Sequence, residues 1–324
     1  MAKCSLCGNE AVATIRYARL KLCKDHFISF IQRKVKRTID RYGLIERGHR
    51  VVLAVSSGKD SVCMADILVK LSKELAYEVV AIHLDLGIEG YSSKLRAAFV
   101  ELCTRLNVVG FVIDVVELLG GMNVADLAKK LRRPICSVCG IVKRYLLNAV
   151  AEALNASSIA TGHNADDMVC YIIKSFLNQD YAYMSKLTPK TCPVPGAVPR
   201  IRPLYEVYER ETLIYCILRQ IPYVHTPCPY APRRSLDVEL KRALSLLEEH
   251  SPGLKISFLR RFVRNASKYK QESAVYVQRC SYCGSISSSS KCAFCKITEK
   301  ALGKPMGMEV KKKIEALIQN RDRR

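Results

Sequence analysis

The sequence predicts an α/β protein with a doubly wound parallel sheet, flanked by a small zinc-binding module at each end. Two observations predict this fold class. Short apolar runs alternate with longer segments of helical periodicity through the middle of the chain, which is typical of buried parallel strands joined by helices. Near each end, cysteine and histidine residues recur in pairs with the spacing of metal ligands. A chain of 324 residues can bury a sizeable core without relying on those metals.

The strands and helices follow from these patterns. The amphipathic segment 27–43 (FISFIQRKVKRTIDRYG) predicts a helix with arginine and lysine on its outer faces. Strands are expected at 51–55, 79–85, 111–116 and 158–162, and helices at 61–75, 92–106, 165–178, 211–219 and 235–250. Prolines between 188 and 204 predict a loop or an extended connector. Because ligands bind at the carboxyl ends of parallel strands, the loops after residues 55, 83 and 161 are the candidate binding loops.

Two four-ligand groups predict structural zinc sites. A gap of two residues lets one tight turn point two ligand atoms at one ion, and two such turns complete a tetrahedral shell. The N-terminal pattern is C-x2-C-x15-C-x2-H and the C-terminal pattern C-x2-C-x8-C-x2-C, given by Cys4, Cys7, Cys23 and His26, and by Cys280, Cys283, Cys292 and Cys295. With four protein ligands, neither ion keeps an open position, so neither site is expected to be catalytic.

The charge of the chain predicts an acidic partner. Its 52 Lys and Arg residues outnumber 30 Asp and Glu, and the formal charge of +22 favours nucleic acid. Basic residues concentrate in the helix at 27–43, in LRRFVRNASKYK (259–270) and in the C-terminal tail. No apolar run reaches the ~20 residues of a membrane span, and the N-terminus lacks an apolar signal core. We therefore expect a cytoplasmic protein without membrane contact, whose thiols stay reduced.

The segment after the first strand predicts a phosphate-binding loop. SSGKDS (56–61) runs from a strand into a helix and lacks the GxxxxGK[ST] pattern of a Walker A loop. Backbone N–H groups at a helix N-terminus, small hydroxyl residues and a lysine together form an anion cradle. The loop consists of Ser56, Ser57, Gly58, Lys59, Asp60 and Ser61. The same residues would also suit an ordinary serine-capped helix start.

Three motifs in chain order resemble one superfamily. VLAVSSGKDS resembles the SGGKDS loop of the PP-loop ATP pyrophosphatases, which cleave ATP to AMP and pyrophosphate, with Ser57 where that loop has glycine. HLDLGIEGYS (83–92) resembles the segment that lines the adenosine pocket, and TGHNADD (161–167) resembles the segment that closes over the nucleotide. The resemblance implies that these segments contact ATP through His83, Gly162, His163 and Asp166. His163 is equally compatible with a polar loop residue that touches no ligand.

Together with the two metal sites, these motifs are similar to the TtcA/TtuA-type tRNA thiolases and to their tRNA 2-thiouridine synthetase branch. The resemblance implies a Rossmann-like catalytic domain between two zinc fingers. The expected domains are 1–30 (N-terminal zinc finger), 31–48 (basic linker helix), 49–232 (PP-loop catalytic domain), 233–276 (helical extension), 277–300 (C-terminal zinc finger) and 301–324 (basic tail).

A third cysteine pair lies in CSVCGIVK (136–143) and has no second pair close by. Cys136 and Cys139 open or precede a helix. The resemblance implies that Cys228, in the Pro-flanked segment HTPCPYAP, is the third ligand of a [4Fe-4S] cluster with one iron left open for sulfur. From the residues alone, a persulfide with a resolving thiol, a zinc ion and two buried small residues stay open as alternatives.

The resemblance implies ATP-dependent 2-thiolation of a tRNA uridine. The enzyme would adenylate O2 of the uridine, release pyrophosphate and replace AMP by sulfur delivered through the cluster. Lys143 is implied to act in catalysis or to contact phosphate, and Asp167 to hold Mg²⁺ or to move a proton, a role that Asp166 would share. A solvated lysine and a helix-start acid are the plain alternatives. CPYAPRR (228–234), followed by LLEEHSPGLKISFLRRF (246–262), resembles more closely the branch that acts on uridine 54, with wobble uridine 34 as the alternative.

The resemblance also implies a homodimer, and a ubiquitin-like thiocarboxylate carrier protein as sulfur donor. Two other functional classes remain as hypotheses. A non-catalytic zinc-finger RNA-binding protein with a relic ATP fold is suggested only by Ser57. A PP-loop amidotransferase or NAD synthetase would share SSGKDS, but it would not need two terminal fingers or a charge of +22.

Overall fold

The structure, a computed structural model, describes residues 2–191, 197–232, 234–269 and 278–322. It begins with a hairpin of strands β1 (Ala13–Ile15) and β2 (Leu20–Leu22), which pair antiparallel and lead into helix α1 (Lys24–Tyr42). Cys23 is the N-cap residue of α1, so the first metal-binding segment passes directly into the basic helix. The helix therefore begins before residue 27, where the apolar periodicity placed its start.

A five-stranded parallel sheet forms the centre of the molecule. Its strands are β3 (Arg50–Ala54), β4 (Glu78–Asp85), β5 (Gly110–Asp114), β6 (Ser158–Thr161) and β7 (Arg200–Ile201), in the spatial order β5-β4-β3-β6-β7. The four predicted strands are confirmed, with small differences at their ends. The fifth strand lies inside the proline-containing segment that was expected to be a loop or connector, where two residues pair with β6 at the sheet edge.

Helices connect the strands and cover both faces of the sheet. Between β3 and residue 219 they are α2 (Lys59–Leu75), α3 (Ser92–Leu106), α4 (Val115–Leu118), α5 (Val124–Leu131), α6 (Ile135–Ala153), α7 (Ala165–Leu177), α8 (Tyr181–Met184) and α9 (Glu209–Arg219). Alternating residues of β3 enter different cores: Val52 packs with α4, α5 and α6, while Val51 and Leu53 pack with α1, α2, α3 and α9. This two-sided packing confirms the doubly wound arrangement.

The strand order places a switch point at the middle of the sheet. From β3 the chain adds β4 and β5 on one side and then returns to add β6 and β7 on the other. The loops that leave the carboxyl ends of β3 and β6 therefore diverge next to each other. In open α/β sheets, ligands bind in the crevice at such a point.

The C-terminal part adds two helices and a second metal-binding module. Its elements are α10 (Leu236–His250), α11 (Leu254–Asn265), β8 (Gln278–Arg279), β9 (Ile286–Ser287), α12 (Ala293–Leu302) and α13 (Gly307–Asp322). Helices α10 and α11 pack on α7, while α12 and α13 pack on α6. Among the described residues, no helix is both long and apolar enough to span a membrane.

Candidate active site

A cavity of about 480 Å³ lies at the carboxyl ends of β3 and β4. Its wall is formed by the loop after β3, the end of β4, the first turns of α6 and the loop after α9. Seven of the predicted site residues lie on this wall: Ser56, Gly58, His83, Cys136, Cys139, Lys143 and Cys228. The phosphate loop and the middle cysteines, which are far apart in the sequence, therefore share one cavity.

The loop after β3 has the geometry of an anion cradle. Helix α2 begins at Lys59, and its N-cap residue Gly58 has no side chain to occupy the first N–H groups. The Ser61 hydroxyl closes the loop instead, because it accepts from the Ser56 backbone N–H at 3.1 Å and donates to the Gly58 carbonyl at 2.9 Å. The free amides at the start of α2 therefore remain available to a phosphate.

The loop after β6 packs directly on this cradle at Gly162. A Cβ atom at that position would lie 2.8 Å from Ser61 N and 2.9 Å from Ser61 Cα, which no side chain can accommodate. Asn164 then caps α7 and donates its Nδ2 hydrogen to Asp60 Oδ1 at 3.1 Å. His163 lies off the cavity wall, with Nδ1 2.9 Å from Thr161 Oγ1. Burial and nearby arginines lower the pKa of His163 to about 4, so its ring is neutral at pH 7.

The three middle cysteines all line the cavity. Cys136 and Cys139 lie in the first turns of α6, and Cys228 lies in the loop after α9, with Cys136 Sγ 3.8 Å from the Tyr230 carbonyl. Burial raises the pKa of the Cys139 thiol, while the hydrogen-bonded ammonium of Lys143 acts against this rise. Lys143 thus lies against Cys139, one turn away on the same side of α6.

The two terminal groups are compact enough to hold a single ion each. In each of them all four ligand atoms lie within 4.8 Å of one another. The Cys7–Cys23 and Cys283–Cys292 sulfur distances are 3.7 Å in both cases. A tetrahedral ion with metal–sulfur bonds of about 2.3 Å would place its sulfurs about 3.8 Å apart. Among the described residues, the three middle cysteines form no such compact group.

Two lysines link three carboxylates, Asp60, Glu209 and Asp167, in an ion network beside the phosphate loop. Lys59 Nζ lies 2.9 Å from Asp60 Oδ2 and 2.8 Å from Glu209 Oε1, and Lys241 Nζ lies 3.1 Å from Glu209 Oε2. Burial alone would raise the pKa of Glu209, but the hydrogen bond from Lys59 and the charge of Lys241 outweigh it and lower that pKa. Glu209 therefore stays ionised and holds Lys59 at the loop.

The two acids of the NADD segment do not line the cavity. Asp167 Oδ1 pairs with Lys241 at 2.5 Å, and its Oδ2 accepts from the Asn164 backbone in a capping box. Asp166 Oδ1 pairs with Lys255 at 2.5 Å. Both acids are thus held by lysines from α10 and α11.

Comparisons with known proteins agree with this geometry. A family model described as PP-loop domain matches residues 28–231, and one described as 2-thiouridine synthetase TtuA, N-terminal LIM domain, matches residues 3–28. The chain is 36% identical over 295 residues to tRNA-5-methyluridine(54) 2-sulfurtransferase of Pyrococcus horikoshii, which covers 91% of this chain and 93% of that protein. The chain belongs to the PP-loop family of tRNA 2-thiouridine synthetases.

Two further members resemble this 2-thiouridine synthetase over most of its length. Cytoplasmic tRNA 2-thiolation protein 1 of Xenopus laevis is 29% identical over 311 residues, or 92% of this chain and 87% of that protein. The solved structure of the U34-tRNA thiolase NcsA from Methanococcus maripaludis with its [4Fe-4S] cluster superposes with a TM-score of 0.77. It is 26% identical and covers 94% of this chain and 96% of that chain.

Sequence reasoning missed two members of the ion network in this synthetase. Glu209 is the first residue of α9 and Lys241 lies on α10, so neither belongs to a motif near the phosphate loop. The only local signal is that Glu209 opens a helix, where an acid is common for electrostatic reasons alone. Only the packing of α9 and α10 beside α7 brings Glu209 and Lys241 to the phosphate loop.

Ser57, the departure from the SGGKDS pattern, adopts the left-handed conformation that glycine favours. Its φ is +61°, and its side chain is fully buried. The hydroxyl donates to the Leu95 carbonyl at 2.8 Å, and the Ser57 carbonyl accepts from Val224 N–H at 2.9 Å. The left-handed conformation costs about 1–2 kcal/mol, whereas the hydrogen bond to α3 contributes about 0.5–1.5 kcal/mol. The two effects nearly offset each other.

We expect Ser57→Gly to leave ATP affinity unchanged and to alter the free energy of unfolding by less than about 1 kcal/mol, since strain and hydrogen bond disappear together. Ser57→Val, which keeps the strain without the hydroxyl, should destabilise the protein by about 1–3 kcal/mol. Calorimetric ATP titration and denaturant unfolding of both variants check this. Loss of ATP binding in Ser57→Gly would show that the hydroxyl itself is needed at the loop.

Proposed function

We propose that this protein is an ATP-dependent tRNA-uridine 2-thiolase that acts on uridine 54. One observation carries the proposal: the phosphate loop and three cysteines line the same cavity. An activating site for ATP and a site for sulfur must adjoin, because the oxygen that ATP activates is bonded to the carbon that sulfur attacks. The name of the Pyrococcus horikoshii relative supports position 54.

The phosphate loop is the proposed ATP site. The amides at the start of α2 and the ammonium of Lys59 bind the phosphates, and Ser56, Ser57, Gly58, Asp60 and Ser61 shape the loop. Burial lowers the pKa of His83, whose Nδ1 lies 2.9 Å from the Val55 carbonyl. Its Nε2 has no partner among the described residues and is free to accept from the nucleotide. Gly162 lets the loop after β6 approach, with His163 and Asp166 proposed near the nucleotide.

The proposed reaction has two steps. O2 of the uridine attacks the α-phosphorus of ATP, and pyrophosphate leaves with the electron pair of the broken phosphorus–oxygen bond. A sulfur nucleophile then attacks C2 of the base, and AMP leaves with the former O2. Lys59 and Lys143, which lie at the loop and on the cavity wall, neutralise the phosphate charge as it shifts.

Cys136, Cys139 and Cys228 are the proposed ligands of a [4Fe-4S] cluster. Three thiols on one cavity wall that do not converge on one point fit its size and donor preference. The cluster of the Methanococcus maripaludis neighbour supports the assignment. When bound, such a cluster supplies iron with affinity for sulfur. The chain itself contributes the ammonium of Lys143 beside Cys139.

Asp167 is the proposed carboxylate for Mg²⁺ at the phosphates or for proton transfer. Its Oδ1 is held by the Lys241 ammonium, a cation that a metal ion would replace. Asp166 would share this role only by releasing Lys255, which is itself buried. Asp167 is therefore the better candidate of the two.

The remaining assignments complete the proposal. We assign Zn²⁺ to each terminal four-ligand group, whose geometry supports it, and a catalytic domain to residues 49–232. The relative from Xenopus laevis supports a cytoplasmic location. A homodimer and a ubiquitin-like thiocarboxylate carrier as sulfur donor rest on the family resemblance.

Nucleoside analysis tests the function. The anaerobically reconstituted protein is incubated with ATP, sulfide and unmodified tRNA, and the digested tRNA is searched for 2-thiouridine while AMP is measured. We expect 2-thiouridine with wild-type tRNA, none with tRNA carrying cytidine at position 54, and unchanged yield with cytidine at position 34. The reverse dependence would assign the wobble position, as in the Methanococcus maripaludis neighbour. Formation of neither product would favour a non-catalytic RNA-binding protein.

A further inference from the structure

A second cleft, separate from the active-site cavity, lies between α1 and α11. It has a volume of about 430 Å³ and shares no lining residue with the cysteine-containing cavity. Two arginines from each helix line it: Arg37 and Arg41 from α1, and Arg260 and Arg264 from α11. Because each pair is spaced one helical turn apart, each lies along one face of its helix. The two basic segments that are far apart in the sequence therefore meet here.

One buried carboxylate organises the inner two arginines. Glu206 is almost fully buried and accepts from Arg41 Nη1 at 2.6 Å and from Arg260 Nη2 at 2.6 Å. Burial would raise the pKa of Glu206, but these hydrogen bonds lower it to about 2, so it stays ionised. The contacts fix the direction of both guanidinium groups and leave each with further N–H donors.

The outer two arginines are Arg37 and Arg264. Within the described part of the chain, Arg37 and Arg264 make no hydrogen bond or ion pair, and both are exposed. The other cation of the cleft, Lys34, is already paired with Glu211 at 2.7 Å. Four guanidinium groups thus face a single carboxylate, an arrangement that favours an added anion. A guanidinium group can donate two parallel hydrogen bonds to two oxygens of one phosphate.

The rest of the lining suits a nucleotide chain better than a single small anion. Phe30 and Ile256 give the cleft apolar walls, Tyr17 adds an aromatic ring, and Ser257 an exposed hydroxyl. Arginines on both walls with aromatic surface between them can hold successive phosphates while a sugar or base lies on the apolar part. The overall charge of +22 points to the same partner.

We propose that the cleft between α1 and α11 binds the phosphate backbone of the RNA substrate, with Arg37 and Arg264 as its contacts to phosphate. The proposal rests on the proposed function for the identity of the RNA as tRNA. Arg41 and Arg260 both pair with Glu206 at the inner side of the cleft. They are unsuitable for testing, because their loss would leave the buried Glu206 carboxylate unpaired. Arg37 and Arg264 can be changed without such a cost.

The test is tRNA binding by Arg37→Glu/Arg264→Glu over a series of salt concentrations, without ATP or a sulfur source. We expect the affinity for tRNA to fall by at least about tenfold. The slope of the logarithm of the association constant against the logarithm of the salt concentration should become shallower by about one to two. The matched control is Arg47→Glu/Lys73→Glu, which makes the same charge change at exposed positions near the amino ends of the strands. It should weaken binding much less.

Two results would overturn the proposal. Equal weakening by the cleft variant and the control would mean that only net charge matters. Binding of inorganic phosphate that is lost in the cleft variant, with unchanged tRNA affinity, would mean that the cleft holds a small anion. Neither result depends on thiolation, so a failure of the proposed reaction and a failure of the cleft assignment remain distinguishable. Circular dichroism of all variants confirms that they are folded.

Discussion

Replacing Cys228 by serine is expected to abolish 2-thiolation of tRNA while both terminal metal sites keep their ions. Cys228 lines the cavity together with Cys136 and Cys139, and serine keeps its shape but removes the soft thiolate. Loss of a group that only orients a metal ligand costs about 10–100-fold, so loss of a ligand should cost more than about 100-fold. Iron, sulfide and zinc per chain are measured after anaerobic reconstitution, beside 2-thiouridine in digested tRNA.

Cys103→Ala is the matched control for this experiment. Cys103 is a partly buried thiol on α3 that does not line the cavity, so this variant should keep its iron and its activity. A Cys228→Ser protein that thiolates tRNA at the wild-type rate would contradict the three-cysteine site. If the wild-type protein binds no iron but the variant still loses activity, a persulfide at these cysteines is the better explanation.

The sheet could be predicted from the sequence because its strands are buried on both faces. Val51, Val52 and Leu53 enter cores on opposite sides, so the strand is an uninterrupted apolar run between polar segments. Helix α5 (Val124–Leu131) was not predicted, since its eight residues show barely two turns of periodicity. Strand β7 was missed because only two residues pair there, within a segment rich in proline.

The candidate site could be predicted wherever a motif follows a strand directly. The phosphate loop lies next to β3, and hydrogen bonds within residues 56–61 shape it, so local sequence determines its form. The orientation of Asp167 could not be predicted in the same way. Its partner Lys241 comes from a helix 74 positions later, and only the packing of α10 on α7 brings the two together. The meeting of Arg37 and Arg264 across one cleft depends likewise on tertiary packing.

Gly307→Ala is expected to remove the metal ion of the C-terminal module and to weaken the helix that carries the middle cysteines. A Cβ atom at this position would lie 2.6 Å from Cys295 Sγ, 2.7 Å from Cys283 Cβ and 2.9 Å from the Tyr145 hydroxyl. Two of these neighbours, Cys283 and Cys295, belong to the four-cysteine group proposed to hold zinc, and they cannot move without changing its geometry. Overpacking of this kind costs about 1–3 kcal/mol before any loss of metal is counted.

The effect should reach the active site through Tyr145 of α6. Its hydroxyl donates to the Gly307 carbonyl at 2.7 Å, and its ring stacks on Phe294 with centroids 3.9 Å apart. The same helix carries Cys136 and Cys139 in its first turns. Helix α6 thus rests on the C-terminal module, and a shift of that module should lower iron content and thiolation as well as zinc.

Gly303→Ala separates loss of the metal from general loss of stability. Gly303 belongs to the same module and has φ +78°, but a Cβ atom there meets nothing within 4 Å. This control should lose about 1 kcal/mol through backbone strain and keep both zinc ions. Metal analysis should therefore find close to one zinc per chain in Gly307→Ala and two in Gly303→Ala. Two zinc ions and full thiolation in Gly307→Ala would show that the module can adjust around the added methyl group, and that α6 does not depend on its present position.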